Sequence, residues 1–285
     1  MSETLSAEDL DGRERRALEL LCKRLGDDEF VLAERYTEWQ VRSPTLESDL
    51  ALSNIAQDEL GHARLWYDVL EDIGLLEDDL VYERDPATFR HSTLVEQPFP
   101  EGNWANAILR SYLYDVAEKL RLEALGESSY PKIADRVGKI QSEEEYHLEH
   151  AGNWMERLAD GEEGSERLQA ALDRLFAHAL TLFEPTDPDV EEEIVDLGLR
   201  TATLPELGEE WLSIVIPFLE SLDLDVPESG LVGADGYAVT EKMLPGARGR
   251  DGTHGEEWEE LFTDLTSTYR ELGRDRPTKI MGRPE

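Results

Sequence analysis

The chain has a single cysteine, Cys22, in 285 residues. One thiol excludes an intrachain disulfide and suits a reducing compartment, and its place in a helical pattern gives it a packing role. No apolar run approaches the ~20 residues that a membrane-spanning helix needs. The acidic start MSETLSAEDLDGRE is unlike a signal or transit peptide, so a cytoplasmic location is expected. Nothing alternates with strand period over a useful length. A Rossmann-type glycine fingerprint and a cysteine cluster are both missing, so the chain carries no flavin, nicotinamide or iron–sulfur group of its own.

Lysine is scarce as well, six against 22 arginines, and the formal net charge is −37. Such a surface repels nucleic acid and anionic membrane. A well-patterned 40% of hydrophobic residues argues against disorder. Screening acts over only ~3 Å at 1 M salt, so the acid excess reads as adaptation to a high-salt cytoplasm. It speaks of habitat more than of mechanism.

What is present is helix. The hydrophobic periodicity predicts helices over 7–41, 44–74, 104–126, 130–160, 164–183, 204–221 and 256–273, with a short one near 188–198. RSPT (42–45) and GESSYP (126–131) are tight connections, each with a proline to start the next helix. Residues 75–103 form a long connection, and the tail after 274 is expected to be loose. The expected organisation is a helical bundle over 1–221, a Gly/Pro-rich excursion over 222–255, and a C-terminal helix and tail over 256–285 packed on the same domain.

On each long helix, alternating steps of three and four trace one inward stripe. The first runs Leu18, Cys22, Leu25, Glu29, Leu32, Tyr36, Trp39, and the second Leu52, Ile55, Glu59, His62, Trp66, Val69, Ile73. The third runs Trp104, Ile108, Ser111, Asp115, Glu118, Leu122, Leu125, and the fourth Ile133, Val137, Ile140, Glu144, His147, Ala151, Trp154, Leu158. Each is apolar at both ends and polar in the middle. Glu29 and Glu59 lie 15 residues either side of Pro44, and Asp115 and Glu144 are likewise symmetric about GESSYP. At 1.5 Å per residue both polar layers stand ~22 Å from their turns. Two hairpins packed as an all-α, ferritin-like four-helix bundle with additional C-terminal helices bring these layers to one point.

Unpaired carboxylates in a bundle core cost several kcal/mol each, and two divalent cations remove that cost. Glu29, Glu59, Asp115 and Glu144 supply four negative charges, and His62 and His147 bind as neutral imidazoles. One acid from each of two helices plus a Glu-x-x-His from each of the others is the ligand plan of dinuclear carboxylate proteins, and the oxygen–imidazole mixture favours iron or manganese. Taken singly, a Glu-x-x-His is a common accident in a chain this rich in glutamate, and a lone Glu29 or Asp115 reads as a solvated acid. The matched heights and shared register carry the case. Glu118, one turn from Asp115, is an alternative ligand. Asp58 and Glu143 each precede a ligand glutamate and are placed to fix the histidine tautomers, against a plain reading as exposed acids. His150 could ligate but leaves the stripe. His91, His178 and His254 read as structural or exposed, and Tyr36, Trp39 and Trp66 as core.

The phrases LGDDEFVLAERYTEW, LESDLALSNIAQDELGHAR, LVEQP…GNWANAILRSYLYD and EEEYHLEHAGNWMERL resemble the phenylacetic acid catabolic family, nearest to its C-type members, with the likeness running from about residue 15 to 273. The resemblance implies a ferritin-like fold and a component of a multicomponent di-iron monooxygenase that epoxidises the ring of phenylacetyl-CoA, or a related aromatic CoA thioester, with O2. It implies partnership with a catalytic A-type subunit and electrons from a separate reductase, in a hetero-oligomer or alongside a homodimer of this chain. Many C-type members have lost the ligands. This chain departs from them, because the A-type set falls on Glu29, Glu59, His62, Asp115, Glu144 and His147. The alternatives are a structural, non-catalytic component with an idle site and a ferritin-like iron-oxidising or peroxide-handling protein; the excursion and late helix exceed what a minimal storage bundle needs.

Overall fold

A computed structural model describes residues 4–82, 84–99, 103–227, 232–233, 236–237 and 239–271. Among them are ten α-helices: α1 (Gly12–Thr37), α2 (Leu46–Glu71), α3 (Glu77–Val81), α4 (Thr93–Glu96), α5 (Trp104–Leu125), α6 (Pro131–Ala159), α7 (Glu162–Ala179), α8 (Pro188–Asp196), α9 (Leu204–Ser221) and α10 (Glu256–Glu271). One antiparallel ladder, β1 (Val232–Gly233) against β2 (Gly236–Tyr237), lies in the excursion. No helix among the described residues is long and apolar enough to cross a membrane.

Local chemistry trims the expected helix ends. Asp11 accepts from the backbone of Arg13 and Glu14 while Glu14 returns a bond to Asp11 N. This capping box starts α1 at Gly12 rather than at 7. Its far end stops at Thr37 because the chain turns through Val41, which holds φ at 62°, a conformation hostile to a β-branched residue. Pro44 does not begin α2, contrary to expectation. Thr45 caps it by accepting from Ser48 N, which leaves the proline just outside the helix. Pro131, by contrast, occupies the first turn of α6. The seventh helix starts at Glu162 and tightens into a 3₁₀ turn over Leu180–Phe183. The connection 75–103 is not bare, since it holds α3, a 3₁₀ turn at Pro86–Thr88 and α4. The tail after 274 lies outside the described residues.

The four long helices form the ferritin-like bundle as two antiparallel hairpins, α1 with α2 and α5 with α6, with α2 meeting α6 across a seam. Helix α7 packs on α5 and α6, α8 on α1, α9 on α5, and α10 over α4 and the turn before it. The two hairpins are unequal. Helices α2 and α6 keep a solvent face, and the buried side of α6 reads Ile133, Val137, Ile140, Glu144, His147, Ala151, Met155. Met155 replaces the expected Trp154 because a 3.6-residue helix drifts off a strict heptad. In α1, ten consecutive residues from Arg24 to Ala33 are buried, so that helix is enclosed on every side at the level of Glu29.

Candidate metal centre

All six residues singled out as ligands are buried, and so is Glu118, none of them more than 4% exposed. Ligating atoms of Glu29, Glu59, His62 and Glu144 all lie within 4.8 Å of one another. His62 Nδ1 is 3.2 Å from Glu144 Oε1 and 3.6 Å from Glu59 Oε2. His147 Nδ1 approaches the same two acids, at 3.2 Å from Glu144 Oε1 and 3.7 Å from Glu59 Oε1. Glu59 and Glu144 therefore face both imidazoles, whose ring centres are 6.1 Å apart. Glu29 closes the His62 side, 4.0 Å from Nδ1. Asp115 feels the charges of Glu144, His147, Glu59 and Glu118. Asp115, His147 and His150 are not among the four residues that meet that distance together.

Neither carboxylate oxygen of Glu29, Glu59, Asp115, Glu118 or Glu144 has a hydrogen bond of acceptable geometry to the described protein, and neither has the Nδ1 of His62 or His147. Buried polar atoms are almost always satisfied, so these orphans, ten of them outside Glu118, call for an electropositive partner. The donor set fits two divalent cations. Glu118 touches Arg121 Nη2 at 2.5 Å, an ion contact without hydrogen-bond alignment, and is neutralised there. The four acids that remain balance two M²⁺ ions.

Without cations, protons relieve the crowding. Burial, reinforced by Glu59 and Glu118, pushes the Glu29 carboxyl well above its usual range. Burial and Glu144 do the same for Asp115. Burial opposes charge on the histidines too, but Glu144 and Glu59 overcome it and push His62 up to about 10. Asp58 and Glu144 push His147 up to about 12. Glu144, in contact with both imidazoles, is held down at about 2 despite its burial.

The outer nitrogens of the imidazoles are bound in a crossed pattern. His62 Nε2 on α2 donates to Glu143 Oε2 on α6 at 2.8 Å, and His147 Nε2 on α6 faces Asp58 Oδ2 on α2 at 3.4 Å. Each acid adjoins one Glu-x-x-His and serves the histidine of the other. This leaves both Nδ1 atoms turned inward. Around the centre, Ile55, Trp66 and Ile140 are buried, and Tyr36 and Ser111 share a 2.6 Å hydroxyl bond one turn from Asp115. A groove of about 680 Å³ between α5 and α6, lined by Lys119, Leu122, Gln141 and Leu148, reaches Glu144 from outside.

The periodicity did not reveal the buried charges beside the centre. Asp27 is gripped by Arg84 through two bonds and accepts from Tyr67 and Arg90 N. Asp28 is bound by Arg121, Arg250 and Ser92 N. Burial opposes its ionisation, yet the two guanidiniums hold its carboxyl below the usual range. His91 and His254, expected to be structural or exposed, are buried and half-buried, and with Glu96 they form a second group whose ligating atoms lie within 4.8 Å of one another. Both contact Glu96 Oε2, at 2.9 and 3.0 Å, and their rings stack at 4.2 Å. His178 bonds Thr93 nearby.

The sequence profile described as phenylacetic acid catabolic protein matches residues 1–274. The chain is 35% identical to the C-type subunit of 1,2-phenylacetyl-CoA epoxidase from Escherichia coli (strain K12) over 210 residues, covering 72% of this chain and 82% of that one. It is 28% identical to the A-type subunit of the same enzyme over 196 residues, covering 68% of this chain and 63% of that one. The chain thus belongs to the phenylacetic acid catabolic protein family.

Proposed function

We propose that this chain is a component of a multicomponent oxygenase that epoxidises the ring of phenylacetyl-CoA or a related aromatic CoA thioester, and that it holds two iron ions of its own. The burial together of four carboxylates and two imidazoles with ten ligand atoms unpartnered in a dry core carries this reading. Glu29 and His62 form one half of the centre, Asp115 and His147 the other, and Glu59 and Glu144 face both. Bound there, iron would supply the activation of O2. Glu118 stays with Arg121, so Asp115 is the ligand from α5. Manganese suits the same donors.

The protein's own residues do four things in this scheme. Four carboxylates and two imidazoles bind the cations, Glu143 and Asp58 fix which imidazole nitrogen turns inward, and Ile55, Trp66 and Ile140 limit water. In the metal-free state Glu29, Asp115, His62 and His147 hold protons that loading would release. Electrons come from a separate reductase, since the chain carries no redox cofactor motif. Other epoxidase subunits are the proposed partners, and the acid surface is assigned to a high-salt cytoplasm.

A second reading, a component that occupies its site but scaffolds a catalytic partner, is favoured by the stronger likeness to the C-type relative than to the A-type one. Metal analysis in high salt comes first: about two irons per chain supports the centre, and none defeats it. Glu144→Ala is expected to lose the iron, and stoichiometric iron in that variant would mean the wrong ligands are named. Turnover of phenylacetyl-CoA with a reductase, with and without an A-type partner, then separates catalyst from scaffold.

A further inference from the structure

Glu118 adjoins the proposed centre yet is excluded from it, and the reason lies in the excursion 222–255. Arg121 has two arms: Nη2 meets Glu118 at 2.5 Å and Nη1 meets Asp28 Oδ2 at 2.7 Å. Asp28 is shared in turn with Arg250, at 2.6 Å to Oδ2 and 3.1 Å to Oδ1. Arg250 stands on a 3₁₀ turn, Gly249–Asp251, and is only 3% exposed. The same two nitrogens also reach the carbonyls of Arg24, Arg90 and Leu182. The seat is shaped for this turn: a Cβ at Gly249 would fall 2.1 Å from the carbonyl oxygen of His91. An unbroken line of charge contacts therefore runs from the excursion, through Arg250, Asp28 and Arg121, to Glu118.

We propose that Arg250 is a positioning residue for the metal centre: by taking half of Asp28, it frees one arm of Arg121 to hold Glu118 away from the cations. This inference rests on the dinuclear centre proposed above. Without Arg250, Asp28 is a fully buried carboxylate with one cation left, whereas Glu118, equally buried, has the proposed metal ions beside it as an alternative counter-charge, so Arg121 is better spent on Asp28. Both arms of Arg121 then turn to Asp28. Glu118, released, becomes a fifth carboxylate within reach of the metals. Docking of the excursion and the coordination number of the centre are two ends of one coupled system.

The test is the visible spectrum of the full-length protein loaded with Co²⁺, which reports coordination independently of turnover. Arg250→Gln is expected to bind two Co²⁺ with weaker visible absorption, as an added oxygen ligand raises the coordination number. Glu118→Gln alone is expected to leave the wild-type spectrum, and the double variant to restore it. Arg250→Lys, which keeps the charge but gives up the two-armed grip, shifts the spectrum in the same direction and carries the same test if the glutamine variant does not fold. A wild-type spectrum in whichever Arg250 variant folds overturns the proposal, as does a shift that Glu118→Gln fails to reverse. Wild-type protein that binds no Co²⁺ would instead remove the metal centre itself.

Discussion

Glu143 on α6 accepts from His62 on α2 at 2.8 Å, although it adjoins Glu144 and His147 of its own helix. The mirror contact, Asp58 to His147, is longer at 3.4 Å. Each imidazole is therefore aimed by the helix it faces, and the α2–α6 seam aligns both metal-binding turns together. Removing such an outer acid typically costs 10–100-fold in metal affinity. Glu143→Gln is expected to weaken Mn²⁺ or Co²⁺ binding by roughly that factor, with Asp58→Asn having the smaller effect because its contact is longer. Isothermal titration checks both; unchanged affinity in Glu143→Gln would show that the seam contact does not orient the ring.

The charge balance separates Asp115 from Glu118. Asp115→Asn is expected to drop the bound metal from about two ions toward one, since it removes an anionic ligand with no cation of its own. Glu118→Gln is expected to keep about two, because its charge already belongs to Arg121. Elemental analysis after gel filtration reads both.

The proton pattern predicts an inverted pH dependence. In the metal-free protein, Glu29 and Asp115 are raised, and His62 and His147 stand at about 10 and about 12. The native state then binds more protons than the unfolded chain, so stability falls as pH rises. The histidine part is complete below about 6.5, the unfolded value, and is lost as pH climbs through the raised values. Glu144, held at about 2, acts oppositely, stabilising above 4.5 and failing as pH drops toward 2. In chelator, the melting temperature is expected to fall between pH 6 and pH 9. With Mn²⁺ that slope is expected to flatten or reverse, because protons and metal compete for the same atoms. A rise with pH in chelator would contradict the assignment.

Gly26 tests the enclosure of α1. A Cβ there would sit 2.7 Å from the ring of Tyr67, whose hydroxyl is tied to Asp27 at 2.7 Å and cannot retreat. Overpacking of this kind costs about 1–3 kcal/mol. Gly26→Ala is expected to lose that amount in urea unfolding, with Tyr67→Phe in the same background recovering part of it by freeing the ring.

The inward stripes and hairpin symmetry were readable in the sequence because helical period and rise are fixed by the backbone. Glu29, Glu59, His62, Asp115, Glu144 and His147 follow from that geometry; all six are buried, and ligating atoms of Glu29, Glu59, His62 and Glu144 lie within 4.8 Å of one another. Helix ends were less readable, since a cap such as Thr45 outweighs the nearby Pro44. Asp27 and Asp28 were not readable at all. They flank the stripe of α1, where an acid means solvent unless other segments cover it, and their partners Arg84, Arg121 and Arg250 come from remote parts of the chain. Glu96 was hidden for the same reason: it meets His254 158 residues away.

Asp28 must wait for a guanidinium 222 positions downstream. While the chain emerges from a ribosome, the first helix can pair with the second, but one of its innermost acids lacks its second counter-charge until the ninth helix and most of the excursion have been made. Long-range closure of this kind slows folding, and the contact that completes the charge set of the first helix is open to the chain only once its last quarter has been made.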